Sequence, residues 1–221
     1  MSRAEQSMER SSADFLAYVW PAVRGHLGGG SIEPVEAVTA EGTTKNLDVL
    51  AGIDVWHYLD GEVGMRGIGS RVQWLYPDNP RWESRWPWRT FTVRKSTSYG
   101  NTTEYEKRLA AIDDDRGLLY PHLTVQAYVH TRGSGPLDAA AVVRTSDLIR
   151  HIDRHGADVV PGRAGQTFYS VPWDVLRCRG VAVGEVGSAA RRSTVTAKTQ
   201  PDCCGDLEFC GSRCRARKGA A

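Results

Sequence analysis

The sequence predicts an α/β fold in which a central mixed sheet is flanked by helices and followed by a basic, cysteine-rich tail. Three observations lead there. A segment near the N-terminus spaces apolar side chains at helical intervals, several later runs have strand character, and two capped helical patterns are interleaved with those runs. Helices alternating with strands argue against a β-sandwich or a helix bundle.

In order along the chain, "SSADFLAYVWPAVRGHLGGG" (11–30) opens with Ser and Asp capping residues. It then places Phe15, Leu16, Val19, Trp20, Val23 and Leu27 on one helical face before a triple glycine stop, with Pro21 predicting a kink. "SIEPVEAVTAE" (31–41) reads as a loop with a short strand. "NLDVLAGIDVWHYLDG" (46–61) and "EVGMRGIGSRVQWLY" (62–76) read as a hairpin turning at Asp60-Gly61. "PDNPRWESRWPW" is too rich in proline and tryptophan for regular structure, and "RTFTVRKS" (89–96) is again a strand. "SYGNTTEYEKRLAAIDDDRG" supplies a threonine cap, an acidic first turn and a helix ending near Gly117. "LYPHLTVQAYVH" has the character of a central strand, and "AAAVVRTSDLIRHIDRHG" reads as a strand entering a helix capped at Thr145 or Ser146. From about Val181 the apolar period is lost. The expected organisation is a flexible N-terminus (1–11), one α/β domain (12–180) and a basic tail (181–221) that is flexible unless a metal orders it.

Composition narrows the function classes. At 221 residues and 41% hydrophobic content, the chain can bury a full core. No apolar run approaches the roughly 20 residues of a membrane span, and the first 20 residues hold no signal-like block, so a soluble, cytoplasmic protein without a membrane partner is expected. The formal charge of +2 neither requires nor excludes a polyanionic partner. Of the 28 basic residues 23 are Arg, the better bidentate reader of phosphate, although a GC-rich genome produces the same bias. No small-molecule cofactor motif is evident, and the oligomeric state is open, a homodimer included. Five cysteines without a secretory signal do not suggest a disulfide framework.

The residues that carry chemistry begin with Asp54, a carboxylate in the apolar run "AGIDVWHY". Such a group is a divalent-metal ligand, a strand-end acid facing water, or the partner of an arginine such as Arg71. Period-two geometry puts Arg71 and Gln73 on one face of the returning strand, and the hairpin lays that face beside Asp54. An acid on one strand and two polar groups at i and i+2 on the next is the layout of a phosphodiesterase site. There, metal ligands hold an attacking water and a cation stabilises the scissile phosphate.

On these residues, "GID" at 52–54 and "SRVQ" at 70–73, the chain resembles the PD-(D/E)XK nuclease superfamily over roughly residues 12–155. The resemblance implies a restriction-endonuclease-like core: a helix, a three-strand meander, a helix and a further strand. It also implies a metal-dependent nuclease acting on DNA, with Mg or Mn bound at Asp54, and a setting in phage or mobile-element gene sets. The chain departs from the family where its acid-x-Lys strand should stand, since Arg71-Val72-Gln73 contains no carboxylate. Glu104, with Lys107 three residues on, is the first candidate for a migrated acid and second metal ligand, and Glu36 another. Glu104 also reads as a capping acid. Without such a migration the fold is a catalytically silent DNA-binding module.

Other segments widen the surface. "RWESRWPWR" interleaves Arg81, Arg85 and Arg89 with Trp82, Trp86 and Trp88, as base-stacking and phosphate-holding segments do, or as a tryptophan loop folded over a core does. Arg94 and Lys95 fall on opposite faces of their strand, so one faces solvent or a nucleic-acid groove. His151 and His155 read as part of a solvated helix face. In the tail, Cys203, Cys204, Cys210 and Cys214 are spaced to close a zinc site or to form an oxidisable basic tail, and Cys178 reads as a small buried hydrophobe. A protein-interaction factor using the tryptophan loop and the cysteine tail is the reading from a different class.

Overall fold

The computed structural model describes residues 10–35, 51–61, 64–75, 89–97, 102–114, 117–133, 135–162 and 165–187. The first amphipathic segment forms α1 (residues 10–27), which buries Phe15, Val19, Val23 and Leu27. Its hydrogen-bond pattern changes on either side of Pro21, from a π turn over Phe15–Val19 through an α turn over Trp20–Val23 to a 3-10 turn over Arg24–Leu27. Proline has no N–H to donate, so the regular ladder cannot run through it. Gly28, Gly29 and Gly30, all at φ of 83–84°, then end the helix in a conformation that side chains with a Cβ avoid.

The main sheet has six strands in the order β1 (Ser31–Pro34), β2 (Val55–Tyr58), β3 (Met65–Trp74), β5 (Leu123–Val129), β6 (Leu137–Arg144) and β9 (Val183–Gly187). All neighbours are antiparallel except β3 and β5, which run parallel. A parallel pair requires a crossover, here built from β4 (Thr90–Ser96) and α2 (Glu104–Asp113). β4 does not join the main sheet. It pairs with β8 (Thr167–Pro172), which pairs with β7 (Asp158–Pro161), as a second, three-stranded antiparallel sheet. Two further helices, α3 (Thr145–His155) and α4 (Trp173–Cys178), complete the described elements.

Alternation along the strands sorts the core into two layers. Val55, Ile68, Val72, Val125, Ala127 and Val142 pack with α1 on one face of the main sheet. Tyr128, Ala139, Ala141 and Val143 pack on the other face with Phe91, Val93 and Val171 of the small sheet and with α3 and α4. All seven residues of β5 are buried, as expected of a strand covered on both faces. Among the described residues no helix is long and apolar enough to cross a membrane.

Three expectations change. β9 pairs with β6 along Val183–Gly187, so the ordered sheet extends into residues that composition assigned to the tail. Small and polar residues suffice there because an edge strand is held by its ladder. Thr145 is the first residue of α3 rather than its cap, and its hydroxyl bonds Thr124 Oγ1 at 2.9 Å. His151 is buried instead of solvated, its ring 5.1 Å from that of His155. Burial, followed by the charges of His155 and Arg179, pulls the His151 pKa down to about 4.

Candidate functional site

The β2–β3 hairpin fixes the geometry of the predicted site. Val55 pairs with Ile68, and the N–H of Asp54 donates to the Ile68 carbonyl at 2.9 Å. Both side chains of that pair enter the α1 layer, so Gly69, Arg71 and Gln73, one step out of phase with Ile68, face the other way. Register places Gly69 opposite Asp54. Arg71 is therefore about 7 Å along the strand from that point and Gln73 about 13 Å, at 3.3 Å per residue. The carboxylate of Asp54 accepts from the backbone N–H of Ser70 and from its hydroxyl, the latter at 3.0 Å. Gln73 is half-buried beside Tyr128 of β5, its partner in the parallel register.

Glu104 is brought to Arg71 by the start of α2. The cap of that helix is formed by Thr103 and Glu106, whose side chains each accept from the other's backbone N–H, at 3.3 and 2.7 Å. Glu106 thus does the capping, and Glu104 turns to the sheet. There its Oε2 accepts from Arg71 Nη2 at 2.7 Å and from the Arg94 N–H at 3.1 Å, and its Oε1 from Arg108 Nη2 at 2.9 Å. Burial alone would raise the Glu104 pKa. The guanidinium of Arg108, then that of Arg71 and the N–H of Arg94, overcome it and hold the pKa at about 2.

Arg108 is the residue that sequence reasoning missed. Its side chain is 6% exposed, its Nη1 donates to Thr124 Oγ1 at 3.4 Å, and its Nη2 lies against the backbone of the hairpin. A Cβ on Gly69 would meet that Nη2 at 2.9 Å and the Gly52 carbonyl at 3.0 Å; one on Gly52 would meet it at 3.6 Å. The guanidinium thus occupies the space between the Gly52–Gly69 wall and Glu104, while the Asp54 carboxylate is held by Ser70, whose side chain is in phase with Ile68. The i,i+4 spacing of Glu104 and Arg108 on a helix was the available signal.

Aromatic rings from the small sheet line the arginines. Arg71 stands 5.0 Å over the Phe168 ring and Arg94 5.9 Å from it, while Lys95 lies 5.4 Å over Tyr169, the next residue of β8. Arg94 and Lys95 therefore do take opposite faces. Gln126, paired with Arg71 in the parallel register, accepts from Thr92 Oγ1 at 3.1 Å, and its buried Nε2 has no hydrogen-bond partner among the described residues. Lys107 lies half-exposed one position before Arg108. Arg81, Trp82, Arg85, Trp86, Trp88, Glu36 and the four tail cysteines fall outside the described residues.

The donor set can be tested against a magnesium or manganese ion. Such an ion takes carboxylate and water oxygens at about 2.0–2.1 Å for magnesium. Both oxygens of Glu104 already accept from cationic or N–H donors, and Asp54 is engaged by Ser70. This arrangement fits guanidinium groups around Glu104 and does not fit a divalent cation. Among the described residues no group of three or more His, Cys, Asp or Glu side chains converges as metal ligands do. Comparison with protein-family models, curated proteins and solved structures gave no match.

Proposed function

We propose that the protein acts on DNA through the α2-facing side of the β2–β3 hairpin, as a binding module of nuclease-like architecture in which arginine stands where a metal would. One observation carries this reading. Three arginines, Arg71, Arg94 and Arg108, surround a single carboxylate, and Arg71 remains 26% exposed over the Phe168 ring. Excess guanidinium charge at a half-open site suits a phosphodiester, which Arg recognises in a bidentate manner. The main-sheet topology supports the same reading: a helix, the antiparallel run β1–β2–β3, a crossover through β4 and α2, and β5 parallel to β3.

Metal-dependent hydrolysis is the second reading. It rests on Asp54 and Glu104 both flanking the hairpin, and it requires each carboxylate to exchange its present partners, Ser70 for one and Arg71 and Arg108 for the other, for a metal. The experiment measures binding and cleavage together. Labelled single- and double-stranded DNA is titrated with wild type, Asp54→Asn and Arg71→Gln across a salt series, with and without Mg²⁺ or Mn²⁺. The module predicts salt-sensitive binding that survives Asp54→Asn, weakens in Arg71→Gln, and is accompanied by no cutting. Metal-dependent cutting that is lost in Asp54→Asn would replace it with the nuclease. Absence of binding at moderate salt would remove both and favour a protein-interaction role.

A further inference from the structure

On the opposite, α1-facing side of the main sheet a cleft of about 440 Å³ opens where β3, β5, β6 and β9 end beside the last turn of α1. Its floor is apolar, formed by Leu27, Leu123 and Val142. Among the described residues its polar side chains are His26, Arg66 and Arg144. The acid closest in sequence to that lining, Glu185, follows Gly184 on β9 and so turns to the other face, where it bonds Arg89 and Arg177.

Two features give the cleft a fixed shape. Arg66 is anchored: its Nε donates to His57 Nδ1 at 3.0 Å and its Nη2 to the Leu27 carbonyl at 2.5 Å. The opposite wall is set by His26, whose ring packs on Gly184, where an added Cβ would lie 3.1 Å from it. Guanidinium groups beside a low-dielectric floor favour an anion there. The size is that of a small-molecule site, and two guanidinium groups beside an apolar floor match a dianion attached to a planar or apolar body.

We propose that this cleft binds an organic phosphate monoester, with the phosphate on Arg66 and Arg144 and the attached nucleoside-like body on the Leu27, Leu123 and Val142 floor. The phosphate belongs either to a free mononucleotide or to the 5′ end of a nucleic-acid strand. This site is separate from the hairpin site, and its mononucleotide form does not depend on the DNA reading.

The test is calorimetric titration of the full chain with four probes: inorganic phosphate, a deoxynucleoside monophosphate, and a short single strand carrying either a 5′-phosphate or a 5′-hydroxyl. Arg144→Gln and Ala182→Glu alter exposed side chains at the cleft, so melting temperature should not change. Saturable binding of the monophosphate or the 5′-phosphorylated strand, weakened about tenfold in each variant, is the expected result. The tighter of those two probes identifies the source of the phosphate. The proposal is overturned if neither saturates, if both variants bind as tightly as wild type, or if inorganic phosphate binds as tightly as the monophosphate.

Discussion

Replacing Glu104 by Gln keeps the shape of the side chain and removes the charge on which Arg71 and Arg108 converge. The cost can be worked from its pKa. The carboxyl is held at about 2 instead of an ordinary 4.5. At about 1.4 kcal/mol per tenfold in proton affinity, ionised Glu104 contributes about 3 kcal/mol at neutral pH. Because the folded value is the lower one, the contribution is complete above the unfolded value of 4.5 and is lost as pH falls toward 2. By about pH 3, linkage removes roughly 2 kcal/mol of it. Urea denaturation of wild type and Glu104→Gln at pH 7 and at about pH 3 should give a gap of about 3 kcal/mol that narrows to about 1 kcal/mol. A neutral-pH gap below about 1 kcal/mol, or one that ignores pH, would refute the picture of a carboxylate held by three arginines.

Other perturbations test the frame around that site. His57 accepts from Arg66 at Nδ1 and therefore carries its proton on Nε2, which donates to the Gly29 carbonyl at 2.8 Å; burial lowers its pKa. Its contribution is present above the ordinary value of 6.5 and is lost as pH falls, so the stability gap between wild type and His57→Gln should shrink on acidification through that range in denaturation curves. Gly69→Ala should cost about 1–3 kcal/mol, because the new Cβ meets Arg108, the Gly52 carbonyl and Pro121 together. Gly67→Ala should cost less, since it displaces only the Ile53 side chain, and thermal melts of the two variants rank them. Asp14→Ala removes a buried carboxylate that accepts from Trp74 Nε1 and the Gly133 N–H at 2.6 and 3.0 Å, and should lose about 1–2 kcal/mol by urea titration.

The parts of the fold that were legible are those in which local chemistry and tertiary burial agree. The apolar stripe of α1, the hairpin turn at Asp60-Gly61, the Thr103 cap and the fully buried run of β5 are written in side-chain period and turn residues. β4 was legible as a strand but not as a member of a second sheet, since "TFTVRKS" alternates equally well beside any partner. β9 was missed because "VGEVG" carries no β-branched run; its neighbour β6 supplies the order. At the site, Asp54, Arg71 and Glu104 were visible as chemistry, and the helix did bring Glu104 to Arg71. Which acid capped and which turned inward depended on the phase of α2 against the sheet, a tertiary quantity. Phe168 and Gln126 entered for the same reason, from strands whose pairing the pattern does not specify.

The glycines of "GMRGIGSRVQW" acquire a physical reason from this arrangement. Gly67 and Gly69 lie on the α2-facing side of β3, the first beneath Ile53 and the second beneath Arg108, each where a Cβ would approach to 2.9 Å. Glycine in a strand interior costs about 0.5–1 kcal/mol relative to alanine, so its presence twice in five residues implies that something must come close to the backbone. At Gly69 that something is a guanidinium, with the Gly52 carbonyl on its other side. A strand carved to admit an arginine at Gly69, and an arginine held there by the acid on its own helix, are mutually dependent features. Removing Arg108 alone would leave Glu104 with fewer partners and a groove beside Gly52 and Gly69. That is the change most suited to asking whether this hairpin, once emptied of its arginine, can take up a divalent ion in its place.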